Sequence, residues 1–237
     1  MTDSTVSYEL RDRVAIITID DGKANVVNHE MAAELSTALA RAESEAGAVV
    51  VAGRPGRFSA GFDLSIMTSS TESARNLLQA GANAALQMHG LKIPVVIAST
   101  GHALAMGAIF LLSADVRIGA EGNYKIGLNE VAIGMPVPRF VIDLARVSLA
   151  TTRLNDAINL ATVYDPAGAA AVGFYDQVVA EDAVVTTAIA HAADLAERLD
   201  PGAFATTREY LRSAGLHTMR SDLQVDLTTF TVNLPPS

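Results

Sequence analysis

Residues 14–52 read VAIITIDDGKANVVNHEMAAELSTALARAESEAGAVVVA, and this stretch favours an α/β fold. The β-branched run Val14–Ile19 predicts a strand that ends at the turn formed by residues 20–22. Asn28 is a preferred helix cap, and apolar residues at helical spacing predict a helix as far as Ala46. The apolar run Ala48–Ala52 predicts a second strand. A helix between two buried strands is typical of an α/β sheet with both faces covered.

The same alternation continues along the chain. Residues 53–64 read as a loop rich in glycine and arginine, and a polar stretch from Thr68 leads into a predicted helix that ends near Gly90. Strands are predicted at 94–98 and 116–119, and between them Gly101–Ser113 reads as a strand-end loop running into a buried helix. From about Thr151 the chain is alanine-rich, and Asp200 with Pro201 marks a helix start.

This pattern predicts a core domain over 1–180 and a helical C-terminal region over 181–237. The helical region is interpreted as an oligomer-packing element, and simple packing on the surface of the core is the alternative. No internal repeat, low-complexity tract or heptad pattern interrupts the 237 residues.

The composition excludes several classes of function. Seventeen basic and 26 acidic residues give a net charge of −9, so there is no basic footprint for nucleic acid. The chain has no cysteine, which excludes disulfides, thiolate metal sites and a cysteine nucleophile. The opening MTDSTVSYEL lacks the basic start and apolar run of a signal peptide, and no apolar stretch reaches about 18 residues. We expect a cytoplasmic protein without membrane contact.

Common catalytic motifs are also missing. The histidines fall far apart without metal-ligand spacing, and neither a phosphate-binding loop nor a dinucleotide-binding glycine motif occurs. We therefore predict no metal. Two segments instead suggest paired backbone donors: Ser59–Leu64 follows one strand and Ala103–Gly107 follows another. Small residues there let a ligand approach backbone N–H groups, and two such groups that converge on one oxygen form an oxyanion hole.

Four motifs, in their order and spacing, resemble the enoyl-CoA hydratase/isomerase family, also called the crotonase superfamily. They are KANVVN at 23–28, FSAGFDL at 58–64, GHALAMGAIFLLSADVRIG at 101–119 and IGLNEVAIGMP at 126–136. The resemblance covers roughly residues 8 to 180. It implies a spiral of ββα units with a helical C-terminal region, assembled as a homotrimer or hexamer. It also implies an acyl-CoA thioester substrate, with coenzyme A as part of that substrate and no separate cofactor.

The resemblance carries a role to each matching residue. The backbone N–H groups of Phe62 and Met106 would form the oxyanion hole. The residues that would contact coenzyme A or the acyl group are Lys23, Ala24, Val26, Ala60, Gly61, Asp63, Leu64 and Gly107. Arg54 and Arg57 could serve the phosphates, although solvated surface charge is the more common role for such residues. The bulky Met106 side chain is expected beside the pocket, where it would narrow access to the carbonyl.

Glu130 is the candidate catalytic acid and base. Hydratases of the family use two glutamates, and Glu130 matches the second, whereas Ile109 occupies the position of the first. Hydration needs an activated water and a delivered proton, work that two carboxylates share. Moving a double bond from position 3 to position 2 needs only one carboxylate. The sequence therefore favours an enoyl-CoA isomerase, with a hydratase as the alternative enzyme and an acyl-CoA-binding pseudoenzyme as the alternative of another class.

Overall fold

Within residues 4–231, which this computed structural model describes, six strands form the main sheet. Their order is β1 (Val6–Arg11), β2 (Val14–Ile19), β4 (Ala48–Ala52), β7 (Val95–Ser99), β9 (Val116–Ala120) and β11 (Gln177–Val179). β1 runs antiparallel to β2, and the other neighbours are parallel. The predicted strands of the core are confirmed, and β1 and β11 are additional strands at the two edges of the sheet.

Shorter strands lie beside the main sheet. β5 (Gly56–Ser59), β8 (Gly101–Leu104) and β10 (Ile126–Gly127) form one small sheet, and β3 (Val26–Val27) pairs with β6 (Gly61–Phe62) in another. Residues 53–64 are thus not the continuous loop that their glycine and arginine content indicated. Strands this short form because they pair with neighbouring strands, and the local sequence does not reveal that pairing.

Helices complete each unit of the spiral. They are α1 (His29–Glu45), α2 (Leu64–Met67), α3 (Thr71–Gly90), α4 (Met106–Ser113), α5 (Arg139–Ser148), α6 (Pro166–Val172), α7 (Val184–Arg198) and α8 (Pro201–Thr229). A main-sheet strand, a short strand and a helix recur in that order, as in β2, β3 and α1 or β7, β8 and α4. The expected ββα architecture with a helical C-terminal region is confirmed. None of the helices in the described range is both long and apolar enough to cross a membrane.

The central strands of the main sheet, β2, β4 and β7, are buried on both faces, and their residues are almost all apolar. In β2, Ile17 and Ile19 face the large core that contains α1 and α3, whereas Val14 and Ile16 face the opposite side. That opposite side is covered by α7, whose buried residues recur every four positions: Val184, Ala188, Ala192 and Ala196. The assignment of the helical region to an oligomer interface stays a prediction.

Capping residues confirm two predicted helix starts. Asn28 accepts a hydrogen bond from Met31 N at 2.8 Å, and Asp200 accepts one from Ala203 N at 2.7 Å. Pro201 occupies the first turn of α8, where its missing N–H costs nothing. Asp115, at the turn between α4 and β9, forms ion pairs with Arg208 and Arg212 of α8 at 2.7 and 2.8 Å. These ion pairs fasten α8 to the core.

Candidate active site

A cavity of about 160 Å³ lies where β6, α4 and the segment after β10 meet. Its walls are almost entirely apolar, and Glu130 is the ionisable side chain among the lining residues. Ile109 lines the same cavity. The complete lining is Ala60, Phe62, Leu64, Met67, Leu78, Ala105, Ile109, Asn129, Glu130, Ile133, Met135, Pro136, Pro138 and Phe230.

The backbone around Glu130 is held in a tight turn. The Glu130 carbonyl accepts hydrogen bonds from Ile133 N at 3.1 Å and from Met135 N at 2.9 Å. Gly134 closes the turn with φ of 81°, a left-handed conformation that glycine adopts without a steric penalty. The turn therefore fixes the direction in which the Glu130 side chain extends from the backbone.

The Glu130 side chain is buried, with only 8% of the residue exposed to solvent. Its Oε2 atom has no hydrogen-bond partner within the described part of the chain. Burial penalises the charged form of a carboxyl group, and here it raises the pKa of Glu130 from 4.5 to about 7. A carboxyl group with this pKa can both take and return a proton near neutral pH.

On the edge of β6 that faces away from β3, the backbone N–H of Phe62 has no strand in the described chain to pair with. Asp63 N donates to Val27 O at 3.0 Å, and consecutive amides of a strand point in opposite directions. The N–H of Phe62 therefore points away from β3. Among residues 4–231, β6 pairs with no second strand that could accept it.

The start of α4 lies directly beside β6. Met106 is the first residue of α4, and the first N–H groups of a helix have no partner inside the helix. Gly61, with φ of 94°, faces this helix start: a Cβ on it would lie 2.8 Å from Ala105 Cβ and 3.4 Å from Met106 N. Ala105 itself has φ of 48°, which is unusual for a residue with a side chain. The start of α4 therefore lies against β6, and Phe62 and Ala105 both line the cavity.

The model of the enoyl-CoA hydratase/isomerase family matches residues 9–233. The chain belongs to the enoyl-CoA hydratase/isomerase family.

Its relatives carry more than one name. It is 31% identical over 181 residues to human mitochondrial enoyl-CoA delta isomerase 1, a match that covers 74% of this chain and about 60% of the length of the human protein. It is 27% identical to a probable enoyl-CoA hydratase of Bacillus subtilis, over 96% of this chain and 89% of that protein. A solved structure of a hydratase/isomerase family protein from Pseudomonas syringae superimposes with a TM-score of 0.94, at 38% identity, covering 98% and 100% of the two chains.

The two segments predicted to contact coenzyme A, residues 23–26 and 60–64, lie together in the fold. The ladder of β3 and β6 places Val26 beside Gly61, and Ala24 O accepts a hydrogen bond from Ala60 N at 3.1 Å. Ala60 and Leu64 line the cavity, and Lys23 is exposed beside this ladder. The structure therefore joins the two predicted coenzyme A segments into one unit.

Other predicted binding residues do not line the cavity. Asp63 caps α2 by accepting from Ser65 N at 2.9 Å. Gly107 lets α4 approach β5, because a Cβ there would lie 2.5 Å from Ser59 O. Arg54 donates to the carbonyl of Lys23 at 2.7 Å, and Arg57 donates to the carbonyl of its neighbour Gly56 at 2.8 Å.

The expectation that the Met106 side chain narrows the pocket is wrong. Met106 is fully buried and does not line the cavity. Its thioether packs towards α3, where a Cβ on Gly81 would lie 3.2 Å from Met106 Sδ. The reason is that Gly81, which has no side chain, leaves space in the core for the Met106 side chain. The backbone N–H of Met106 remains at the start of α4.

Sequence reasoning missed part of the lining. Phe230 follows α8, about 100 residues after Glu130, and reaches the cavity only because α8 packs against α3 and α5. Asn129 is next to Glu130 in the motif, and its Oδ1 atom is buried without a partner among residues 4–231. The polar residue type at position 129 was a signal in the sequence. Nothing in the sequence signalled Phe230.

Proposed function

We propose that this protein moves the double bond of a 3-enoyl-CoA thioester to position 2. The observation that carries the proposal is that, among residues 4–231, Glu130 is the one ionisable side chain that lines this apolar cavity, while Ile109 lies at the position of the second acid. One carboxyl group is sufficient for isomerisation and insufficient for the two-acid hydration of the family's hydratases.

The oxyanion hole would be formed by backbone groups. When a proton leaves C2 of the substrate, negative charge develops on the thioester oxygen. The N–H groups of Phe62 and Met106 are available to receive that oxygen, since neither has a partner in its own strand or helix. Donors that are fixed before the reaction stabilise such charge at little reorganisation cost, and the loss of one such donor typically costs about 10² to 10³ in rate.

Glu130 would move one proton between two carbons. Its carboxylate takes the proton from C2, and the electrons of the broken C–H bond enter a dienolate whose charge lies on the thioester oxygen. The neutral acid then gives the proton to C4, and the electrons of the C3–C4 double bond form the new C–H bond there. The charge on the thioester oxygen restores the carbonyl, and a new double bond forms between C2 and C3. The process consumes no co-reactant. The pKa of about 7 suits both halves, because neither protonation state is strongly preferred at neutral pH.

Coenzyme A would bind at the exposed edge of the cavity. The backbone of Ala60–Leu64 lies there with the segment from Ala24 to Val26 beside it, and Lys23 offers a positive charge to a phosphate. This local contact is needed because the chain as a whole carries a net charge of −9.

Two alternatives remain open. A hydratase is the first, since relatives bear that name as well as the name isomerase. The second is a protein that binds acyl-CoA without turning it over. The absent second acid supports this reading, whereas the buried Glu130 opposes it.

The deciding experiment compares two substrates of equal length. Purified protein is supplied with 3-hexenoyl-CoA or with 2-hexenoyl-CoA, and products are separated by chromatography with mass detection. We expect 2-hexenoyl-CoA from the first substrate and no more than a background level of 3-hydroxyhexanoyl-CoA from the second. Hydration at a typical enzymatic rate of about 10 s⁻¹ would identify a hydratase instead. Binding of both thioesters without any product would identify the inactive binder.

A further inference from the structure

The residues that line the cavity range from strongly exposed to buried, and we call the exposed ones its rim and the buried group of Met67, Leu78 and Phe230 its floor. Two of its rim residues are strongly exposed, Leu64 by 60% and Ile133 by 51%. At the other extreme, Met67, Leu78 and Phe230 are buried, with exposures of 3%, 2% and 6%. If coenzyme A enters at the exposed rim, the acyl chain points towards this buried floor.

The floor is assembled from three separate elements. Met67 ends α2, Leu78 lies in α3, and Phe230 follows the last residue of α8. An apolar floor of this kind offers no partner to a polar group, so it fits the hydrocarbon end of an acyl chain. A chain that is longer than the distance to the floor has to displace one of these side chains.

Hydrogen bonds from α3 and α5 hold the end of α8, where Phe230 lies. Arg75 in α3 donates to the carbonyl of Phe230 at 2.9 Å and to that of Thr228 at 3.0 Å. Arg139 at the start of α5 donates from its backbone N and from its side chain to Asp226, both at 2.6 Å. These contacts hold the end of α8 and the backbone of Phe230 against α3 and α5, and Phe230 lines the cavity.

The volume of the cavity limits the length of the acyl chain. A dry cavity of about 150 Å³ lined by apolar side chains accommodates benzene, which has six carbon atoms. The cavity here is of similar size, about 160 Å³, and it also has to hold the thioester carbon and the reacting carbons beside Glu130. Six acyl carbons therefore come close to filling it.

We propose that this protein selects short-chain acyl-CoA thioesters of about six acyl carbons, and that Phe230 is the specificity-determining residue that sets this limit. The proposal rests on the proposed function, because it takes the cavity beside Glu130 as the acyl site. It goes further by naming the length of the acyl chain and the residue that limits this length.

The native protein is tested first with a series of 3-enoyl-CoA thioesters of 6, 8, 10 and 12 acyl carbons. One methylene that does not fit a hydrophobic pocket changes specificity about 10- to 200-fold. We expect kcat/KM to fall at least tenfold between the 6- and 10-carbon substrates. An equal or higher kcat/KM for the 10-carbon substrate overturns the proposal.

Phe230→Ala tests the assigned residue. It removes the ring from the floor, so the ratio of kcat/KM for 10 carbons to that for 6 carbons is expected to rise at least tenfold. Phe230→Leu is the milder variant if the alanine protein does not fold, and its preference is expected to move to about 8 carbons. An unchanged ratio in a folded variant overturns the role of Phe230.

Leu223→Ala is the matched control. Leu223 is 1% exposed and lies on α8, but it is not among the cavity residues. Truncating it loosens the same helix without enlarging the cavity, and the ratio is expected to stay within about twofold of the native value. A rise as large as that of Phe230→Ala would mean that a loosened α8, and not the ring, sets the length.

Binding separates this proposal from the proposed function. Calorimetric titration with the saturated hexanoyl-CoA and decanoyl-CoA requires no turnover, and the native protein is expected to bind hexanoyl-CoA at least tenfold more tightly. If no 3-enoyl-CoA is isomerised and this preference is still observed, the isomerase proposal fails and the length limit stands. If isomerisation occurs and decanoyl-CoA binds as tightly as hexanoyl-CoA, the length limit fails alone.

Discussion

Replacing Glu130 with glutamine should raise the stability of this protein at high pH and lower its activity. Burial raises the pKa of Glu130 from 4.5 to about 7, so between these pH values the unfolded chain releases a proton that the folded chain retains. Folding stability therefore falls as pH rises through this window, and the loss is complete above pH 7. A tenfold change in an ionisation constant is worth about 1.4 kcal/mol, which makes the loss roughly 3 kcal/mol.

Glu130→Gln removes this loss because the amide does not ionise. We expect the variant and the native protein to have similar free energies of unfolding near pH 4. At pH 8 the variant should be more stable by roughly 3 kcal/mol, equivalent to a rise in Tm of about 6 to 12 °C for a chain of this size. The same substitution should lower isomerase turnover by about 10² to 10⁴, the usual contribution of a general acid or base.

The assay is urea unfolding followed by circular dichroism at pH 4, 6 and 8, beside turnover of 3-hexenoyl-CoA. Glu121→Gln is the matched control, since Glu121 is exposed and does not line the cavity. It should leave both the pH dependence and the turnover unchanged. A stability difference between Glu130→Gln and the native protein that does not vary with pH would refute the burial argument. Retention of at least half the native kcat would show that Glu130 is not the base.

Four further results are expected. Because the base must be ionised, kcat/KM of the native protein should rise about tenfold per pH unit below pH 7 and level off above it, whereas a profile flat from pH 5 to 8 would contradict the pKa of about 7 for Glu130. Ile109→Glu should gain measurable hydration of 2-hexenoyl-CoA and lose roughly 1 to 3 kcal/mol of stability, with Ile109→Gln as the control that gains none. Gly61→Ala should lower both stability and turnover, since the new methyl group would lie 2.8 Å from Ala105 Cβ; native values for both would refute this contact. Asp115→Ala should destabilise the protein by about 3 to 5 kcal/mol, measured by urea unfolding, because two arginines lose their buried partner; a change below 1 kcal/mol would show that these ion pairs do not hold α8.

The order of strands and helices could be predicted because each of those segments carries its own signal. The apolar run Val14–Ile19 is buried on both faces of the sheet, and so its sequence does not alternate. Asn28 and Asp200 cap their helices with short side chains that accept hydrogen bonds from the first turn. These signals act over three or four residues, the range across which a helix or a strand forms its local contacts.

The chemistry at Glu130 could be predicted only in part. The motif at 126–136 assigned Glu130 a role by resemblance, and the same position alone reads as an exposed loop glutamate. Burial is what raises its pKa, and the cavity in which it is buried includes residues far away in the chain, which no local pattern reports. The direction of the Met106 side chain has no local signal either, because the space beside Gly81 exists only in the folded core.

The sequence by itself determined the α/β order of elements, the family resemblance, and the contrast between Glu130 and Ile109. The tertiary structure alone decided that Met67, Leu78 and Phe230 meet at the floor of one cavity. These three residues lie in α2, in α3 and after α8, and no periodicity links positions so far apart in the chain. Their meeting depends on how α8 packs across α3 and α5, which is set by the shape of the complete core.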